Sequence, residues 1–564
     1  MVDAGFELET KRVGGLPLIN RFLERLGVVA LFEKHVRSDP RAKVASSRLL
    51  VVLVRNLVMA RVPIYGLGEW AEGWVPQLLG LEPDELALLN DDRVGRGLDR
   101  LFDADRGALL TELVVGAVKE FKVDLEQFHN DSTSLTLHGE YSDATGELVR
   151  GKPSLKITHG HNKDHRPDLK QLVWILTISA DGAVPVHFKV SDGNTEDSIT
   201  HQETWDVLRR LVGSSKFLYV ADSKLCTRAN LRHIHEQGGT FVTIMPHTRK
   251  EDEQFRDWLQ LNTPSWEEIA RKPHARLKEG PEDVFHACAS PLPESDGYRL
   301  LWFRSSHKIE RDARARSDAI ESAWKKLIEL QARVAGPRAR FQSTATVSQA
   351  IDEILQKTGA ERWIAYQVQE HDEEQFRQEK RGPPGNDTRY RRRVKKRFSF
   401  TWELRKALVE YDARCDGIFP LMTNSDLAPL QVLDAYKSKQ PMIEKRHHLL
   451  KNVQAATPVC LKSVSRVEAL LFLLFVALLV SALIERELRA AMVATGAESL
   501  PLYPEERDCK APTAARILDV LEPLQRSVLG KGGQVVQRFE PELSKLQRQV
   551  VSLLGMRPQA FAGH

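Results

Sequence analysis

The sequence predicts an α/β chain: a mixed-sheet core interrupted by an inserted domain, with helical segments at both ends. Three observations carry this. Apolar residues recur at helical spacing up to about residue 122. From 123 to 249, β-favouring runs alternate with amphipathic helical stretches. That pattern stops after Pro246 and resumes at about 416 with DGIFPLMTN.

The amino-terminal helices are PLINRFLERLGVVALFEKHV, SSRLLVVLVRNLVMARV and RGALLTELVVGAVKEF, with YGLGEW and GLEPDE as breaks. In LEQFHNDSTSLTLHG polar and apolar residues alternate, so Asp131 shares a strand face with Thr133, Leu135 and Leu137. KPSLKITHG reads as a further strand, and LVWILTISADGAVPVHFKV as a hairpin turning at its DG pair. A helix follows in DSITHQETWDVLRRLVG, then the buried strand of KFLYVADSKL, a helix in TRANLRHIHEQG and the strand TFVTIMP. Asp222 is the first polar residue at the carboxyl end of its strand, where open α/β sheets place their chemistry. This succession of strands and helices is that of a ribonuclease H-like core.

Residues 250–415 form the insertion. It holds a long charged helix, IERDARARSDAIESAWKKLIELQARV, and a basic run in which seven of nine residues from Arg389 to Arg397 are Lys or Arg. Tyr390 and, beyond the run, Phe398, Phe400 and Trp402 accompany those cations, a composition suited to phosphate contact and base stacking. The core resumes over 416–494. There Pro441 suits the first turn of a helix that carries Glu444 and, two turns later on the same face, Lys451. Residues 495–564 read as a loop, a helix and a polar tail.

Composition sets bounds. With 564 residues, 42% hydrophobic and 28% charged, the chain can bury several cores. A net charge of +4 and a pI near 8.6 are only mildly basic, so binding of a polyanion has to rest on local clusters. Five scattered cysteines form no CxxC pair, which fits a reducing compartment and offers no zinc framework. The first fifteen residues lack the apolar stretch of a secretory leader, so a cytoplasmic protein is expected. The most hydrophobic run, Ala469 to Ile484, would be roughly 24 Å long as a helix, short of the ~30 Å bilayer core, and is expected to be buried.

Asp131 in HNDSTSL, Asp222 in VADSKL and Glu444 in MIEKRHHLLK resemble the three acids of the DDE transposases of bacterial insertion sequences. Tyr436 and Lys451 resemble the tyrosine and lysine of that branch's Tyr/basic/Glu/Lys signature helix. The Tyr436 to Glu444 spacing is one residue longer than usual, and Lys437 or Lys439 stands for the usual arginine. GHNKDHRPDLKQ, residues 160–171, resembles the segment before the third core strand, and DGIFPLMTN the strand before the glutamate helix.

The resemblance implies cleavage at transposon ends and joining of the 3′ ends to target DNA. Asp131, Asp222 and Glu444 would hold a pair of Mg2+ ions, with Mn2+ as substitute. Lys451, Tyr436, Lys439, Arg166, Lys170, Arg391, Arg392, Arg393, Lys395 and Lys396 are the candidate DNA contacts. Residues 1–122 would bind the terminal repeats, with NDDRVGRGLDRLF as a groove helix, and a homodimer would act on DNA. A decayed, purely DNA-binding transposase and a simple metal-dependent nuclease are the alternatives. A zinc hydrolase using His159, His161, His165, His447 and His448 is the weaker rival.

Overall fold

The computed structural model describes residues 6–59, 62–273, 280–293, 296–336, 339–437, 440–456 and 461–562. Two compact units divide them: residues 1–243, 424–426 and 432–564 form the first, and 244–423 with 427–431 the second.

The first unit opens with β1 (Phe6–Arg12), which the sequence did not announce. There follow α1 (Leu16–Arg25), α2 (Val28–His35), α3 (Ser46–Met59), α4 (Leu67–Glu72), α5 (Asp91–Asp103) and α6 (Arg106–Phe121). Asn90 and Asp105 cap α5 and α6 by accepting from the Arg93 and Ala108 amides. The core then runs through β2 (Gln127–Leu137), β3 (Leu148–Val149), β4 (Lys152–Pro153), β5 (Lys170–Ser179), β6 (Pro185–Ser191), α7 (Thr200–Val212), β7 (Leu218–Ala221), α8 (Arg228–Glu236) and β8 (Thr240–Ile244). The strands lie side by side in the order β6-β5-β2-β7-β8. β5 is antiparallel to β2 and β6, whereas β2, β7 and β8 are parallel. This is the ribonuclease H-like arrangement. One expected strand is broken up: in KPSLKITHG only Lys152 and Pro153 join a ladder, the two-residue β3–β4 one, while Lys156 and Thr158 make single bridges to Thr145 and Gln171, and Pro153 lacks the amide a longer ladder needs. The second and third core strands are β5 and β6.

The second unit contains α9 (Lys250–Leu261), β9 (Glu267–Lys272), β10 (Asp283–Ala289), β11 (Arg299–Ser305), α10 (Ser306–Ala335), α11 (Thr344–Thr358), β12 (Ile364–Gln378), β13 (Tyr390–Leu404), α12 (Lys406–Cys415) and β14 (Ile418–Thr423). Its sheet is antiparallel, in the order β14-β11-β10-β9. Leu327 and Leu330 of α10 pack on Ile351 of α11 and on Phe398 and Phe400 of β13, which anchors the base of a long β12–β13 ribbon.

The chain continues with α13 (Pro429–Lys437), α14 (Gln440–Ala456), α15 (Val464–Thr495), α16 (Ala514–Leu521), β15 (Gln525–Lys531), β16 (Gln534–Phe539) and α17 (Lys545–Leu553). The expected 16-residue apolar helix is in fact the centre of the 32-residue α15. By length and composition α15 could cross a membrane, yet 94% of its most apolar window is buried inside the protein. It packs against α1, α3, α5 and β6, and a helix enclosed in this way is apolar all round. Phe475 stacks on Phe188 of β6, and Phe188 on Trp174 of β5, each at 4.7 Å.

The expected polar, helical tail is also corrected. Gly532 and Gly533, at φ +59° and +81°, make a two-residue turn between β15 and β16, and β15 pairs with β1.

Candidate active site

β2 and β7 pair in parallel from Gln127 with Leu218 to Asn130 with Ala221, and no further. Asp131 and Asp222 are the next residues on the two strands, which lie about 4.8 Å apart. The two carboxylates therefore leave the ladder side by side where the sheet opens. Each is aimed by a backbone amide: Ser132 donates to Asp131 Oδ1 at 2.8 Å and Lys224 to Asp222 Oδ1 at 2.9 Å.

α14 brings the third acid. Ile443, Arg446, His447 and Leu450, at i, i+3, i+4 and i+7, are its buried stripe, which leaves Glu444 exposed and Lys451 half-exposed. Arg446 Nη2 donates to Glu485 of α15 at 2.9 Å, both side chains almost fully buried, and Nε donates to the Ala183 carbonyl at 3.3 Å. His447 Nδ1 lies 3.6 Å from Asp131 Oδ2. Burial pushes that imidazole down to about 3, so it is neutral and the contact is packing rather than an ion pair.

Tyr436, at the end of α13, reports how the acids converge. Burial raises its phenol first, and the charges of Asp222, Asp131 and Glu444 raise it further. Asp131 itself is pushed up to about 7, first by burial, then by Asp222 and Asp197, against the pull of Lys163. Crowded carboxylates of this kind favour a hard divalent cation, which takes oxygen ligands and keeps several waters. Among the described residues no three His, Cys, Asp or Glu side chains close into a ready-made metal cluster, the HxHxxxH histidines included.

Residues 128–480 match the family model described as "Transposase DDE domain". The chain belongs to that transposase family. Residues 8–115 match a second model, a domain of unknown function, DUF4277. No curated protein matches the chain. Solved structures similar to it include a piggyBac transposase synaptic complex with hairpin DNA, at 9% identity over 51% of this chain and 57% of that one, TM-score 0.28. A Mos1 transposase paired-end complex with the left transposon end is 10% identical over 38% and 62%, TM-score 0.15. A Mos1 mariner paired-end complex with Mn is 11% identical over 40% and 66%, TM-score 0.14. The chain thus spans less than two thirds of each.

The rest of the candidate site comes from a loop whose central residues sequence reasoning left unassigned. Ser132, Ser134 and Thr136 of β2 carry the segment that begins at Gly160. The Lys163 amide donates to Ser134 Oγ at 3.1 Å, and Asn162 Nδ2 to Thr136 Oγ1 at 3.2 Å. Lys163 Nζ donates to the Ser132 carbonyl at 2.7 Å and to its Oγ at 2.8 Å, and lies 3.2 Å from Asp197. Ser132 Oγ donates to Asp197 at 2.6 Å. Asp164 forms an ion pair with Lys451 of α14. The alternating hydroxyls at 132, 134 and 136 were the available signal that β2 supports something polar.

The candidate DNA contacts divide. Arg166 is engaged by Asp168 of the same loop, and Lys170 by the Glu140 carbonyl. Lys439 lies outside the described residues. In the β12–β13 ribbon, Arg391, Arg393 and Lys395 share one face with Arg377, whereas Arg392 and Lys396 lie on the other and pair with Glu374 and Glu370. Arg391, Arg393 and Lys395 form no ion pair among the described residues.

Proposed function

We propose that this transposase cuts DNA at the ends of an insertion sequence and joins the freed 3′ ends to target DNA, with Asp131, Asp222 and Glu444 as the catalytic acids. The observation that carries the reading is the end of the β2–β7 ladder at Asn130 and Ala221, which sets Asp131 beside Asp222, with both of them and Glu444 within electrostatic reach of Tyr436. Magnesium or manganese, held as a pair of ions, would supply activation of the attacking oxygen and stabilisation of the leaving one. Asp131, Asp222 and Glu444 would hold the pair.

Lys451 and Tyr436 would contact phosphates beside the scissile bond, and neutral His447 keeps water and stray charge from the inner side of Asp131. Binding of terminal repeats by residues 1–122, phosphate contact by the ribbon, assembly as a dimer on DNA and action at the cytoplasmic nucleoid belong to the same proposal.

The test is metal-dependent cleavage and joining of labelled DNA carrying the flanking inverted repeats. Native protein should cut and join in magnesium, whereas Asp131→Ala, Asp222→Ala and Glu444→Ala should bind the ends and lose at least 100-fold in cleavage. Binding without cleavage in either metal would make the chain a decayed DNA-binding protein. Cleavage without joining would make it a nuclease.

A further inference from the structure

We infer that Asp164 is a built-in stand-in for a DNA phosphate, holding Lys451 in its working position until the DNA backbone replaces it. The inference rests on the reading of Lys451 as a phosphate contact and adds to it a residue with no assigned role.

Asp164 is held in place by its surroundings. Its amide donates to Asn162 Oδ1 at 2.8 Å, and Asn162 is itself buried. Thr136 Oγ1 donates to Asp164 Oδ2 at 3.3 Å, while Oδ1 takes the Lys451 ammonium. One carboxylate therefore presents two anionic oxygens to a strand hydroxyl and to the lysine, as two non-bridging oxygens of a phosphate would.

The start of the loop is fixed by close backbone packing: a Cβ at Gly160 would lie 2.0 Å from the Gly193 carbonyl oxygen. The pair itself remains open, with side-chain exposures of 28% for Lys451 and 35% for Asp164. Exposed pairs contribute little and exchange readily, so an incoming phosphate can take the lysine. The contrast with Lys163 is informative. That ammonium, tied to Ser132 at two points and to Asp197, braces the strand end from which Asp131 projects and has no comparable reason to let go.

Two consequences follow. Before DNA arrives, the lysine is pre-aligned and its ammonium is not free to trap DNA unselectively. When DNA binds, Asp164 competes with the phosphate for the Lys451 ammonium and so weakens binding. The neutral isostere should thus bind DNA more tightly while cutting more slowly.

The experiment is a double-mutant cycle on the full chain with Asp164→Asn and Lys451→Ala. It uses affinity for a terminal-repeat duplex without metal and cleavage at saturating duplex with magnesium, and thermal melting confirms that each variant is folded. Asp164→Asn should tighten binding about 3- to 10-fold and slow cleavage at saturation. The tightening should vanish in the Lys451→Ala background, and Asp164→Glu should restore native behaviour at least in part.

Unchanged affinity in Asp164→Asn, or tightening that persists without Lys451, would overturn the inference. So would loss of affinity and cleavage together with a lowered melting temperature, which would mark Asp164 as merely structural. If the native chain itself neither binds nor cuts the duplex, the transposase reading fails. If it does both and the cycle shows no coupling, only the role of Asp164 fails.

Discussion

Asp131 is a carboxylate whose ionisation both burial and neighbouring charge oppose. Its carboxyl titrates near 7 in the folded, metal-free chain and near 4 when unfolded, so between those values the folded state binds the extra proton. Metal-free stability must therefore fall as pH rises from about 4 to 7 through this group. Asp131→Asn should remove that dependence and raise metal-free stability at pH 7.5 by about 1 to 3 kcal/mol, read by denaturant or thermal melting. Because Lys163 is the cation that pulls the Asp131 pKa down, Lys163→Met should move the acid limb of magnesium-dependent cleavage to higher pH. A limb unmoved in that variant would remove Lys163 from the site's electrostatics. Asp131, Asp222, Glu444, Tyr436 and Lys451 could be proposed from the sequence because each sits in a short run with its own local pattern. Lys163, Asp164 and Asp197 could not, since their side chains act through ion pairs and hydrogen bonds with residues 28 to 287 positions away.

α14 is the element that carries Glu444, the third candidate acid, and it is seated through a buried charge. Arg446 meets Glu485, whose second oxygen accepts from the Ala514 amide at 3.0 Å. Removing the carboxylate leaves a buried guanidinium without its main partner, so Glu485→Ala should cost about 3 to 5 kcal/mol and Glu485→Gln less. If α14 is what presents Glu444, cleavage should fall in proportion to the displaced helix even where melting shows the chain still folded at assay temperature. Equal melting temperatures for Glu485→Ala and the native chain would show that the Arg446–Glu485 pair is not what seats α14. Pro441 and the acid-to-lysine spacing disclosed α14, since both signals are local. Hydropathy misjudged α15 because that helix continues into charged ends. Arg466 and Glu468 pair with Asp99 and Arg106 at one end, and Glu485, Arg486 and Glu487 meet Arg446, Asp181 and Arg25 towards the other. Partnered charges extend a buried helix well past its apolar run.

At the scale of the whole molecule, what hydropathy and spacing conveyed was the order of elements, and what they withheld was pairing across long separations. β1 and β15 meet across more than 500 residues, Phe6 opposite Lys531, so neither terminus looked like part of a sheet. The Gly532-Gly533 turn was the one local hint. The same limit governs the basic ribbon. Composition showed a cluster of cations, but only the register of β12 against β13 reveals that two of the five named candidates face the other way and are neutralised by glutamates. The remaining three stand at i, i+2 and i+4, about 6.8 Å apart, roughly two base-pair steps of duplex DNA. For every phosphate that the protein ceases to neutralise, the slope of log affinity against log salt should shrink by about 0.9. Replacing Arg391, Arg393 and Lys395 by alanine should therefore flatten that slope by about 2 to 3, whereas replacing Arg392 and Lys396 should leave it nearly unchanged. Anisotropy titrations of one duplex over a range of salt concentrations distinguish the two sets. Equal effects from both would mean that net charge alone, and not the register of the ribbon, draws DNA to this unit.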